Sequence, residues 1–294
     1  MLKATPIHTF RGHQGAVYDV AWHPGWQQWL SAGGDGILAL WTDGVDDATA
    51  LAQHSAAFFS VSAWGPDHVV GGNSTGELMW LGRGESRNLT AHKAPIYALH
   101  ACNDQTLVAG DGEGVVTMWH LPSQGIPILK GKIATGLGKI RHFGPHPLGT
   151  LMATGSGAWA VLSPEGTILE SHVVHRRACY WAWWHPQKQA VLSTGQDGEL
   201  IVTHHGSPLL HLSIHQSAVY RGLVFGDTLW TASRDKSIKA WNVQTLEIKS
   251  RKDIAHARSV NAMALGGLHG DVLVTGSDDK SIKVWGPLGL EGPA

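Results

Sequence analysis

The feature that most constrains this chain is the regular return of tryptophan. Trp41, Trp80 and Trp119 stand 39 residues apart, and Trp241 and Trp285 stand 44 apart. A period of roughly 20–50 residues marks a repeat architecture, in which each unit is one supersecondary element that buries its apolar face only against its neighbours. The gap of 122 residues between Trp119 and Trp241 holds two further units that have lost the tryptophan. Their third strands fall at 158–162, with Val161 near the tryptophan position, and at 200–203, with Thr203 at it. The count is then seven. One unit is plain in 256–285: an apolar run after His256, a second at 272–275, a tight Asp-Asp-Lys turn, and a third at 282–285 in which apolar and polar residues alternate. Short alternating runs divided by turn residues read as antiparallel strands.

Within that unit an imidazole (His256), a hydroxyl (Thr275), a carboxylate (Asp279) and an indole N–H (Trp285) can satisfy one another across the strands. The same set recurs as His13, Ser31, Asp35 and Trp41, and as His215, Thr231, Asp235 and Trp241; the hydroxyl always lies ten residues and the carboxylate six before the tryptophan. This pattern resembles the WD-repeat β-propeller family, whose blades carry such a His, Ser/Thr, Asp, Trp tetrad. The resemblance implies an all-β fold, a seven-bladed β-propeller of four-stranded antiparallel blades forming one domain over 2–286, with 287–294 a flexible tail. Individual units depart from the pattern. The second keeps His54 and Trp80 but has Val70 and Ser74 between them, and the third keeps His92 and Trp119 with Ala109 and Glu113. The fifth has His175, Ser193 and Asp197 but Thr203 for tryptophan, and the fourth puts Gly136 where histidine is expected. No tryptophan is followed by aspartate. Closure is expected from the N-terminus. After Trp285 the chain is too rich in Gly and Pro for a fourth strand, whereas 2–10 can be extended and complete the last blade, leaving only short edges in water.

Bulk properties narrow the function. A formal net charge of −1 gives no field to gather nucleic acid or an anionic membrane, so neither is an expected partner. Two cysteines, Cys102 and Cys179, make no disulfide framework in a chain of 294 residues, and no apolar run approaches the ~20 residues of a membrane span. A cytoplasmic monomer is the expectation. No nucleophile elbow, His-Glu-x-x-His or Walker loop occurs, and Gly110-Asp-Gly-Glu-Gly sits where a turn belongs. The pairs His172/His175 and His204/His205 lack Cys or carboxylate companions at zinc spacing, so no metal and no cofactor are expected.

Five residues after each histidine position stand Tyr18, Phe59, Tyr97, Arg141, Tyr180, Tyr220 and Asn261, which include all four tyrosines of the chain. The family resemblance places this position at the top entrance of the central channel. Rigid amphipathic rings and arginine are favoured where partners bind. The expectation is a non-enzymatic scaffold that binds a protein or peptide through this aromatic ring. Gly34, Asn73, Gly112, Gln196, Arg234 and Asp278, which precede the tight-turn position, should face the same way. Tyrosines would suit a cationic side chain in the channel mouth, while Arg141 and Arg234 would suit a carboxylate or phosphate. Three other readings stand beside this one: tyrosines that only pack between blades, a small-molecule or sugar-processing enzyme using the channel, and a subunit bound by its blade rims.

Overall fold

Each repeat is organised about one tight turn between its second and third strands. Gly36, Gly76, Gly114, Gly157, Gly198, Lys236 and Lys280 occupy equivalent places there, all with φ between 69° and 89°. Gly198 shows why glycine is preferred: a Cβ would stand 2.6 Å from the His215 carbonyl. That same carbonyl-bearing residue donates its N–H to Gly198 O at 3.1 Å, so the chain leaving the fourth strand docks against the turn.

The structure is a computed structural model that describes residues 5–82, 84–123 and 125–288. Among them, 28 strands form seven four-stranded antiparallel sheets and no helix is present. The sheets, blades 1 to 7, cover 17–53, 58–90, 96–134, 140–173, 179–213, 219–252 and 260–287, and the seventh takes its outer strand, His8–Arg11, from the N-terminus. Thr9 pairs with Lys283 and Phe10 with Ile282. The N-terminal strand therefore completes the last blade. Residues 2–4 of that expected strand, and 289–294 of the expected tail, lie outside the described residues.

The chain divides into two compact units, one holding the residues up to Val61 with those from Tyr220 onward, the other Ser62–Val219. In each unit the core lies between consecutive blades. In the first, Phe10, Val17, Trp29, Trp41, Val274 and Ile282 pack together. In the second, Trp64, Leu78, Trp80, Ile96 and Trp119 do the same. Fully burying such side chains stabilises by roughly 1.5–3 kcal/mol each.

Buried polar chains stitch the strands together. In blade 1, His13 Nε2 is 2.7 Å from Ser31 Oγ, which accepts the Trp41 indole N–H at 2.8 Å, while His13 Nδ1 meets Asp35 at 2.9 Å. One tautomer satisfies every atom: Nδ1–H donates to the carboxylate, and Nε2 accepts the serine proton. Blade 7 repeats this with His256, Thr275 at 2.8 Å, Asp279 at 3.0 Å, and Trp285 donating to Thr275 at 2.9 Å. In blade 6 Trp241 donates to Thr231 at 3.0 Å.

Blade 3 builds the same chain from other positions. His92 meets Asp111 and Thr117, each at 2.8 Å, and Trp119 donates to Thr117 at 2.8 Å. Ala109 and Glu113 take no part. Blade 5 has His175 with Ser193 and Asp197, both at 3.0 Å, and its missing tryptophan is replaced by Trp159 of blade 4, which donates to Thr203 Oγ1 at 2.9 Å. In blade 2 no hydroxyl stands at Val70; the Trp80 N–H has no acceptor among the described residues, and its ring stacks on His68 at 4.8 Å.

These histidines make the fold sensitive to acid. Burial lowers the pKa of His92 and His256, outweighing Asp111 and Asp279, so both stay neutral in the native state. The unfolded chain protonates them below about pH 6.5, binds more protons there, and is favoured as pH falls. Asp35, Asp197 and Asp279 are raised by burial but lowered more by their histidine partners together with backbone N–H groups and, at Asp279, the Ser281 hydroxyl, which gives a net downward shift and a second loss below about pH 3.8, where only the unfolded carboxyls take up protons. The urea midpoint should fall between about pH 7.5 and about pH 5, and fall less in a His256→Gln variant. A midpoint flat across that range would contradict neutral buried histidines.

Candidate functional site

The seven positions counted from the histidines occupy one structural role. Tyr18, Phe59, Tyr97, Arg141, Tyr180, Tyr220 and Asn261 are each the second residue of the first strand of a blade, and each is half-buried. In blades 1, 3, 4, 5 and 7 the pairing of first with second strand skips that residue, as between Val17 and Asp19 or between Ile96 and Ala98. The skipped residue sits in a β-bulge, a device that re-aims a side chain out of the ladder. A second anchor holds the bulge. Two residues before it, a carbonyl accepts the N–H of the turn residue, as in Gly34 to Ala16 at 2.8 Å, Gly112 to Pro95 at 2.9 Å and Gln196 to Ala178 at 2.8 Å. Glycine at 34 and 112 leaves room for the tyrosine. A Cβ there would be 3.1 Å from Tyr18 Cε2 and 3.2 Å from Tyr97 Cε2.

In the first unit, Tyr18 meets Phe59 edge to face at 5.0 Å. Asn261 donates to Asp278 Oδ1 at 2.7 Å and to Val17 O at 3.1 Å. Arg234 is exposed in the turn of blade 6. Beside the bulges, Asp19 accepts the Val61 N–H at 3.0 Å and pairs with Arg221 at 3.4 Å. Burial pushes the Asp19 carboxyl above its usual range, against the lowering effect of Arg221 and the Val61 amide. Both carboxylate oxygens are thereby engaged in holding blades 1, 2 and 6.

In the second unit, the Arg141 guanidinium lies between two tyrosines, 5.1 Å from the Tyr97 ring centre and 5.0 Å from that of Tyr180. Lys139 Nζ is a further 5.6 Å from Tyr97. Tyr97 already carries two cations of the chain itself and Tyr180 one. Next to them opens a cleft of about 580 Å³ whose side chains include Lys139, Arg141, Arg177, Ser156 and Gln196. Sequence spacing pointed to Arg141 and Gln196. It missed Lys139, Ser156 and Arg177, whose only signal was their nearness to Arg141, the turn and His175. Among the described residues no three His, Cys, Asp or Glu side chains gather as a cation site.

Residues 4–42 and 248–286 match the family model described as WD domain, G-beta repeat. No curated protein matches the chain in sequence. Among solved structures, the crystal structure of the WD40 β-propeller domain of Doa1 superposes with a TM-score of 0.83 at 15% identity, covering 97% of each chain. The fold is a seven-bladed β-propeller, its last blade completed by the N-terminal strand. The two matched segments, at the first and last repeats, carry the WD40 pattern, and the fold of the whole chain is similar to that of a WD40 propeller.

Proposed function

We propose that this propeller is a non-catalytic platform for a protein or peptide partner, contacted through the bulged residues Tyr18, Phe59, Tyr97, Arg141, Tyr180, Tyr220 and Asn261, with Arg234 beside them. WD40 propellers are generally protein-interaction scaffolds. Fold alone does not assign a job, so the reading rests on one observation: the repeated bulge that turns a large side chain half out of the sheet at the start of the first strand. Were these residues only packing between blades, an ordinary ladder position would hold them. Rings fixed by bulge and glycine offer contact area with little rotamer freedom to lose. The enzyme reading is less supported, because the half-buried Asp19 is engaged by Arg221 and Val61. The free thiols of Cys102 and Cys179 and the net charge of −1 support a cytoplasmic monomer whose partner is neither nucleic acid nor membrane.

Affinity capture from native lysate, run with the wild type and with a folded Tyr18→Ala/Tyr97→Ala/Tyr180→Ala variant, tests this. A discrete partner captured by the first and lost by the second is the expected result. Identical captures would move the interface to the blade rims.

A further inference from the structure

We propose that the cleft beside Arg141 receives a phosphate monoester carried on a peptide segment of the partner. The inference rests on the platform reading and adds the chemistry that one part of it recognises.

The lining is of one sign. Lys139, Arg141 and Arg177 reach the cleft, with Ser156 and Gln196 as neutral hydrogen-bonding groups; glycine and Ala178 make up the rest. No Asp or Glu contributes. Of the carboxylates adjacent in sequence to lining residues, Asp111 and Asp197 are turned inward, to His92 at 2.8 Å and to His175 at 3.0 Å, while Glu113 is exposed and is not part of the lining. Lys139 and Arg177 are exposed. A concave site whose lining holds three cations and no carboxylate carries a positive potential, and an anion relieves it.

The arrangement favours a dianion over a carboxylate. A phosphate ester carries about −1.5 to −2 at neutral pH and three strong acceptor oxygens, which is the better match to three cations. Arg141 is the organising group. Tyrosine rings at 5.1 and 5.0 Å hold its plane, and a stacked guanidinium uses its faces for the rings while its edge is the part that forks onto phosphate. Gly112, Gly138 and Gly155 keep the wall low, so a bulky tetrahedral group meets backbone at close range. Gly155 is not replaceable without cost, since a Cβ there would be 3.0 Å from Lys139 N. The size points to a peptide-borne group. At about 580 Å³ the cleft is far larger than a phosphate and lies within the roughly 300–1,000 Å³ of sites that enclose whole ligands. Flanking residues of the partner would fill the remainder, over Tyr97 and Tyr180.

The probe is a labelled library of short peptides with one fixed phosphoserine, read by fluorescence polarisation on the full chain, with the matching serine library and inorganic phosphate as controls. The phosphorylated library should bind about tenfold or more tighter than the serine library, and Lys139→Glu/Arg177→Glu should abolish that difference. Both residues are exposed, so the variant should keep the wild-type melting temperature. Equal binding of the two libraries overturns the proposal. So does a preference that survives the charge reversal, and so does inorganic phosphate competing as well as the peptide library itself, which would make the cleft a free-anion site. If the libraries bind equally while the triple tyrosine variant still loses a captured partner, the platform stands and only the phosphate inference falls.

Discussion

Replacing Phe10 with alanine should cost about 3–5 kcal/mol, and deleting residues 1–11 should lower the melting temperature by roughly 10 °C or more. Phe10 is fully buried, 5.2 Å from the Trp41 ring, and packs with Val17, Trp29, Val274 and Ile282. Its strand also covers the strand Ser281–Pro287, whose N–H and C=O groups would otherwise form an open edge. The deletion thus removes a core residue of blades 1 and 7 and unmasks a ladder at the same place. Ile7→Ala is the control. Ile7 is 52% exposed, and its loss should change stability by no more than about 0.5 kcal/mol. A deletion variant that melts with the wild type would mean that the N-terminal strand closes nothing.

How much of this was legible beforehand depends on whether a feature lives in linear spacing or in the ladder. Turn position and third-strand tryptophan are both set by strand length, so counting along the chain finds seven blades and the bulged residues. Blade 3 escapes such counting. In blade 1 the cross-strand pair is Ser31 with Ala39; in blade 3 it is Ala109 with Thr117. Hydroxyl and methyl have exchanged places across one rung. Directly opposed residues share a face, so the hydroxyl still reaches the histidine, although no alignment by offset reveals it. The carboxylate has moved as well. A Cβ at Gly33 of blade 1 would stand directly against His13 Nδ1, and Asp111 occupies the matching place in blade 3. Trp159 serving Thr203 is the same lesson between blades: a group lost from one repeat is supplied by a strand of the one before it. The cleft was hidden for a related reason. Lys139, Ser156 and Arg177 come from three separate segments, and their convergence is a property of neighbouring blades rather than of any one repeat.

The transposed chain of blade 3 yields the second large effect. Asp111→Ala should cost about 3–5 kcal/mol, because it leaves the buried Nδ1–H of neutral His92 and two backbone N–H groups without their acceptor, at roughly 1–3 kcal/mol for each donor left unsatisfied. Asp111 is 1% exposed and also accepts the N–H groups of Glu113 and Val115, both at 2.9 Å. Glu113→Ala, at the offset where the other blades carry their aspartate, should change stability by no more than about 0.5 kcal/mol, since Glu113 is exposed. Thr117→Ala should cost about 1–3 kcal/mol, leaving His92 Nε2 and the Trp119 N–H without their shared partner. Adding Ala109→Ser to Thr117→Ala then puts the hydroxyl back where blade 1 has it, and most of the loss should return. Urea denaturation of the four variants decides the matter. If the double variant is no more stable than Thr117→Ala alone, the two rungs are not equivalent and the exchange is not neutral. If Glu113→Ala costs as much as Asp111→Ala, the carboxylate that holds His92 has been misassigned.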